Sequence, residues 1–123
     1  MNRLVEEAEA APAERELALA VDVTSEDEAY EVTALVPGLE ADDLDIEILN
    51  NTVTIRGEFK SRQPEDAKYI TSELPTGRFS RVISLPVAVE SSKTEAKIKN
   101  GILTLRVPKS ESHRPKAIKV NAG

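Results

Sequence analysis

Hydrophobic and polar residues alternate with a period of two along most of this chain. Seven runs carry the pattern: 17–23, 30–36, 44–48, 53–55, 79–85, 96–98 and 103–107. Successive side chains on a strand point to opposite faces, so such alternation predicts half-buried β-strands. The first 16 residues lack this pattern and are rich in Glu and Ala.

Turn residues separate the runs at regular intervals. Pro37-Gly38 ends one run, Asn50-Asn51 joins two others, and Asn100-Gly101 joins the last two. Asn-Gly favours a tight type I′ turn, because both central residues need positive φ. Between 59 and 77 the chain is polar and predicts a long exposed loop, with a short strand expected at 69–71.

Short alternating strands with Gly, Pro and Asn between them predict an all-β domain, a two-sheet antiparallel sandwich of the immunoglobulin-like kind. The chain of 123 residues is long enough for one such domain with a modest core. We expect a short N-terminal arm over 1–16, the domain over 17–108 and a C-terminal tail over 109–123.

The charge balance limits the classes of partner. The chain carries 22 acidic and 16 basic residues, a net charge of −6. Nucleic acids and anionic membranes attract basic surfaces, so we expect neither as a partner. The sequence has no cysteine and no apolar run of membrane-spanning length, and we expect a cytoplasmic protein without disulfides.

No residue pattern indicates catalysis, a cofactor or a metal. His113 is the one histidine and lies in a polar stretch without a second ligand nearby. The acidic runs lack the spacing of a calcium loop, and the glycines are isolated turn residues rather than a phosphate-binding loop. We therefore expect a protein that is not an enzyme, with no cofactor.

The tail contains an isolated apolar motif, Ile118-Lys119-Val120. Two branched residues two positions apart have no core of their own to enter, and such a segment can dock into an apolar groove on another subunit. Pro115 favours an extended chain ahead of the motif, which lowers the entropy lost on docking. The alternative is an ordinary apolar pair in a disordered tail.

Five pieces in order carry a family likeness: 36–39, the 44–57 hairpin, 77–81 leading to Leu85-Pro86, Ala96 with Asn100 to Leu103, and Ile118-x-Val120. With them the chain resembles the small heat-shock proteins, the α-crystallin-domain chaperones of bacterial type. The likeness covers roughly residues 17–120. Family members usually carry a long N-terminal arm rich in aromatic residues, and about 16 residues stand in its place here, as a truncated or a minimal arm.

The resemblance implies two contact sites. Ile118 and Val120 look like the family's C-terminal anchor, which docks in a groove of a neighbouring domain. The matching groove residues are Leu44, Ile46, Ile48, Ala96 and Ile98. Simple core burial of Ile46 and Ile48 is the alternative.

The loop over 61–72 looks like the family's dimerisation loop, whose short strand pairs with a partner subunit. Tyr69, Ile70 and Glu73 are assigned to the dimer interface. Arg81 matches an interface arginine and shares a predicted face with Phe79 and Ile83. It is expected to pair with a carboxylate, that of Glu73 or of the second subunit, or else to extend as an edge arginine into water.

The function implied is that of an ATP-independent holdase, which binds partly unfolded client proteins and prevents their aggregation. It would assemble as a homodimer and, beyond that, as a higher oligomer. Two alternatives stay open. A CS-domain co-chaperone adaptor shares the sandwich but normally lacks the loop and the anchor, and a self-assembly module would bind few clients.

Overall fold

Seven strands form two antiparallel sheets in the part of the chain that the computed structural model describes, residues 17–115 and Val120. The strands are β1 Val21–Ser25, β2 Ala29–Leu35, β3 Leu44–Leu49, β4 Thr52–Phe59, β5 Gly77–Ser84, β6 Glu95–Lys99 and β7 Ile102–Pro108. One sheet has the order β1-β2-β7-β6 and the other β3-β4-β5. Two short 3₁₀ helices, Ala41–Asp43 and Ser91–Lys93, lie in connections between strands, and a third, Glu111–His113, follows β7.

The hairpin turns follow the sequence closely. Asn100 and Gly101 have φ values of +55° and +76°, so the type I′ turn between β6 and β7 is confirmed. Asn50, with φ +56°, turns β3 into β4. A side chain at Gly101 would also lie 3.2 Å from Cα of Pro37, which makes glycine the residue that fits this corner.

The inward faces of both sheets share one hydrophobic core, which is mostly aliphatic. Its members are Leu19, Tyr30, Val32, Ala34, Val36, Val53, Ile55, Phe79, Ile83, Leu85, Leu103, Leu105 and Val107. They come from β2, β4, β5 and β7 and from the chain next to the strands, and they alternate with more exposed neighbours. The alternation of the sequence therefore predicted the core correctly at most positions.

The first strand begins later than the sequence pattern predicts. The run 17–23 is not one strand, because β1 starts only at Val21. Leu17 instead bridges the other sheet: its backbone N–H donates to the carbonyl oxygen of Arg78 at 2.7 Å, beside a parallel bridge to Phe79. The alternating residues before Val21 thus begin beside β5 in the three-stranded sheet and cross to β1 in the four-stranded sheet.

The expected strand at 69–71 is absent from the described chain. Residues 60–76, between β4 and β5, form no strand. A strand needs a neighbour for its backbone hydrogen bonds, and no strand of the described residues pairs with the segment. The prediction of a strand here was wrong for the single chain.

Close packing in the core centres on Phe79, which is 1% exposed. Its ring stacks at 4.9 Å, tilted by 39°, on the ring of Phe59. Gly57, its register partner on β4, leaves the room that the ring occupies. A Cβ atom at Gly57 would lie 2.5 Å from Cζ of Phe79 and 3.0 Å from a methyl group of Leu44.

We predict that Gly57→Ala destabilises the fold by about 1–3 kcal/mol, because the added methyl group overpacks the core. Urea denaturation measures the loss. In a Phe79→Leu background the same substitution should cost clearly less, since the ring tip is gone. Equal costs in the two backgrounds would show that the ring does not limit this position.

Candidate interaction site

The edge strands of the two sheets are not equivalent. β1 and β6 border the four-stranded sheet, and β3 and β5 border the three-stranded one. The chain leading into β1 is joined to β5 through Leu17, so β1 and β5 lie on the same side of the sandwich. With the sheets stacked face to face, β3 and β6 lie together on the opposite side.

The inward-facing residues on that opposite side are incompletely covered. Leu44, Ile46 and Ile48 on β3 and Ile98 on β6 are half-buried against the core, and Ala96 is exposed. On β5, also an edge strand, Phe79 and Ile83 are buried. We call the five residues Leu44, Ile46, Ile48, Ala96 and Ile98 the β3/β6 groove.

The sequence left two interpretations of these residues open, core burial and a docking groove, and the structure agrees in part with each. Ile46 and Ile48 pack against the core cluster, as a core assignment requires. They also keep accessible surface on an edge strand, as a docking groove requires. Packing on one side and access on the other is what a preformed binding groove needs.

The chain after β7 is fixed to the domain as far as Arg114. The backbone N–H groups of Lys109 and Ser110 donate to the carbonyl oxygens of Glu28 and Ala88, and Nε of Arg114 donates to the carbonyl oxygen of Lys109 at 2.8 Å. The Nζ atom of Lys109 lies 4.9 Å from the ring centroid of Tyr30. The C-terminal segment therefore leaves the domain from a defined place.

Of the two predicted anchor residues, the structure describes one. Val120 is 88% exposed. Ile118 lies outside the described residues. His113, in the last 3₁₀ helix, is exposed.

The loop over 60–76 exposes three large apolar side chains. Ile70 is fully exposed, Leu74 is 86% exposed and Tyr69 is half-exposed. Glu73 is exposed beside them. Polar contacts fix the base of the loop: Nη2 of Arg62 donates to the carbonyl oxygen of Gly38 at 3.0 Å, and the hydroxyls of Ser61 and Tyr69 lie 3.1 Å apart.

Arg81 belongs to the inward-facing set of β5 by register but reaches the surface. It pairs with Ile55 on β4, and its Nη1 atom donates to the carbonyl oxygen of Leu19 at 3.3 Å. In the described part of the chain it forms no ion pair with Glu73. The arginine thus helps to join the two sheets on the β1/β5 side.

Sequence reasoning missed two residues of the loop. Leu74 is largely exposed, like Ile70 in the same loop, and Arg62 holds the loop against the Pro37-Gly38 corner. Leu74 was visible as the second large aliphatic residue in a polar stretch. Arg62 had no such signal, since its partner is a backbone carbonyl 24 positions away.

The described residues offer neither a cluster of metal ligands nor a membrane-spanning helix. Nowhere in residues 17–115 do three or more His, Asp or Glu side chains gather as metal ligands could. The helices of the same part are short, and none is long and apolar enough to cross a membrane.

Comparisons with known proteins agree with this architecture. The sequence model of the Hsp20/alpha crystallin family matches residues 22–121. Small heat shock protein C4 of Rickettsia felis is 36% identical over 101 residues, which cover 81% of this chain and 62% of that protein. The chain therefore spans less than two thirds of the length of that relative.

Solved structures give the same result. Heat shock protein 16.0 of Schizosaccharomyces pombe superposes with a TM-score of 0.72 and 26% identity, over 88% of this chain and 100% of that one. The hspA structure of Xanthomonas axonopodis superposes with a TM-score of 0.69 and 27% identity, over 78% and 97%. The two-sheet β-sandwich expected from the sequence is confirmed.

Because the groove side chains are only half-buried, truncating one of them should lower the free energy of unfolding by a small amount. Ile98→Ala should destabilise the fold by about 1 kcal/mol, against about 2–5 kcal/mol for Leu103→Ala, its buried register partner on β7. Urea denaturation of both variants measures the difference. Equal losses would mean that Ile98 belongs to the closed core.

Proposed function

The chain belongs to the Hsp20/alpha crystallin family, and we propose that it is an ATP-independent holdase chaperone. It binds partly unfolded proteins and keeps them from aggregating, without a chemical step. The observation that carries this proposal is the β3/β6 groove, where aliphatic residues of two edge strands stay half-buried.

Passive binding is enough for this activity. Unfolding proteins expose apolar segments and unpaired strand edges, which associate with one another and aggregate. The groove offers both features to such a segment: apolar side chains between the sheets, and free backbone N–H and C=O groups along β3 and β6. A client segment held there is not available for aggregation.

We propose that Ile118 and Val120 dock in the groove of a neighbouring copy. The groove is accessible, and Val120 is exposed on its own chain, which supports docking between chains rather than within one. The anchor and a client segment would then compete for the same surface. Exchange of subunits would regulate how much groove is open to clients.

The loop over 60–76 supports the proposal of a homodimer. Three apolar side chains project from it, and fully burying an aliphatic side chain stabilises a contact by about 1.5–3 kcal/mol. The segment 69–71 pairs with no strand in the part of the chain that the structure describes, and the partner subunit would provide one. Arg81 and Glu73 are assigned to this interface as part of the same proposal.

Chaperone activity has a direct test. We predict that the chain suppresses light scattering from a heat-labile test protein at a stoichiometric ratio without ATP. Leu44→Ser/Ile98→Ser, which makes the groove polar, should reduce this protection several-fold, whereas Thr24→Ala on the outer face of β1 should not. Undiminished aggregation with the unaltered chain would contradict the holdase proposal.

Assembly has a separate test through the loop. We predict that Ile70→Lys/Leu74→Lys, made in an Ile118→Ala/Val120→Ala background so that the tail does not link copies, lowers the mass found by light scattering to that of a single chain, because charged side chains oppose burial. Leu35→Lys, at another exposed aliphatic residue on β2, is the control and should keep the mass of the background protein. An unchanged mass in the double variant would remove the loop from the interface.

A further inference from the structure

We propose that the outer face of the four-stranded sheet binds the same face of a second copy of this chain. The outer face is the set of side chains on β1, β2, β7 and β6 that point away from the core. This contact goes beyond the holdase proposal and uses neither the β3/β6 groove nor the loop over 60–76. Its failure would therefore leave those proposals standing.

The strand register arranges the outer face in three rows that run across the sheet from β1 to β6. The first row is Leu35, Ile102 and Lys99; the second is Asp22, Thr33, Thr104 and Lys97; the third is Thr24, Glu31, Arg106 and Glu95. On β2 and β7 these residues alternate with buried members of the core, so they point away from it. Each row lies two residues along the strands from the next, on the same face.

Two large aliphatic side chains lie side by side in the first row. Leu35 is 65% exposed and Ile102 is 40% exposed, although both belong to interior strands of the sheet. They are register partners on neighbouring strands, so they form one apolar patch rather than two scattered residues. Removing this patch from water favours a contact with another apolar surface.

The charged residues of the three rows balance. Three are acidic and three are basic: Asp22, Glu31 and Glu95 against Lys97, Lys99 and Arg106. The whole chain has a net charge of −6, so other surfaces carry the excess of acid. Since copies of an acidic chain repel each other, a face without net charge is a surface where that repulsion is weak.

The arrangement of the side chains makes the face complementary to itself. In a two-fold dimer whose axis runs parallel to the strands, between β2 and β7, β1 of one copy faces β6 of the other and β2 faces β7. The facing pairs, each of which occurs twice, are Asp22 with Lys97, Glu31 with Arg106, and Leu35 with Ile102. The rows thus bring opposite charges together and join the two apolar patches.

Most of these charges lack an ionic partner within the described residues. Asp22, Glu31 and Lys97 form no salt bridge there, and Arg106 forms one, with Glu26 at 3.0 Å, while its side chain stays 46% exposed. Asp22 and Lys97 lie on the two border strands, about 14 Å apart at a strand spacing of about 4.8 Å. These two residues are therefore free to pair with a facing copy.

The small size of the face makes this contact weak. Four strands about 4.8 Å apart and five residues of about 3.3 Å each give a face of about 19 Å by 17 Å. A stable complex buries roughly 800 Å² on each partner. We therefore expect association near millimolar concentration, or between copies that other contacts already hold together. At micromolar concentration the face does not link copies, so Leu35→Lys remains a valid control for the loop.

The test exchanges the charges of Asp22 and Lys97. The protein is the full chain carrying Ile118→Ala/Val120→Ala, so that its tail does not link copies. Sedimentation equilibrium at low salt follows its mass from about 10 μM to about 1 mM. Asp22→Lys places lysines face to face, and Lys97→Asp places aspartates face to face. Asp22→Lys/Lys97→Asp, or an equal mixture of the two single variants, brings opposite charges together again.

The expected result is that the mean mass of the background protein rises by roughly a third or more over this range. Each single variant should remove most of that rise, whereas the double variant and the mixture should restore it. Glu47→Lys is the control, because it makes the same charge change as Asp22→Lys on the three-stranded sheet. It should preserve the rise.

Three results would overturn the proposal. The first is a mass of the background protein that stays constant up to the highest concentration. The second is a rise that the single variants keep, or that Glu47→Lys also removes, since net charge alone would then explain it. The third is a loss in both single variants that neither the mixture nor the double variant reverses, because the facing of Asp22 and Lys97 requires recovery.

Discussion

The interaction on which the rest of the structure depends is the crossing between the sheets at Leu17 and Leu19. The N–H of Leu17 donates to Arg78, and Arg81 donates to the carbonyl oxygen of Leu19. These contacts join the β1 and β5 edges, with Leu19 buried between them. No comparable crossing is found in the described chain on the opposite side, where β3 and β6 keep half-buried aliphatic residues. The asymmetry of the sandwich is thus the origin of its groove.

The groove and the loop give the domain two apolar surfaces with different properties. The side chains of the groove pack on the core, so a segment that docked there would meet a surface that is already formed. The loop presents Ile70 and Leu74 on a backbone that pairs with none of the described strands. In the proposed function, copies assemble through the loop and exchange segments at the groove.

The sequence predicted the alternating strands, the Asn100-Gly101 turn and most of the core, because these depend on local periodicity and turn chemistry. It failed at 17–23, where the same alternation serves a crossing between sheets. It also failed at 69–71, where the segment has no partner among the described strands. Periodicity places Arg81 on the inward face, but only the strand order shows that β5 is an edge from which the side chain reaches the surface. The exposure of the groove residues likewise depends on which edge strands of the two sheets are joined, which the periodicity does not show.

The central claim is that the anchor of one copy covers the β3/β6 groove of another. Amide hydrogen exchange of the full chain, compared with Ile118→Ala/Val120→Ala, tests it most directly. The account predicts faster exchange in β3 and β6 of the variant, with β2 and β7 unchanged because they are interior strands. Identical exchange of β3 and β6 in the two proteins would contradict it.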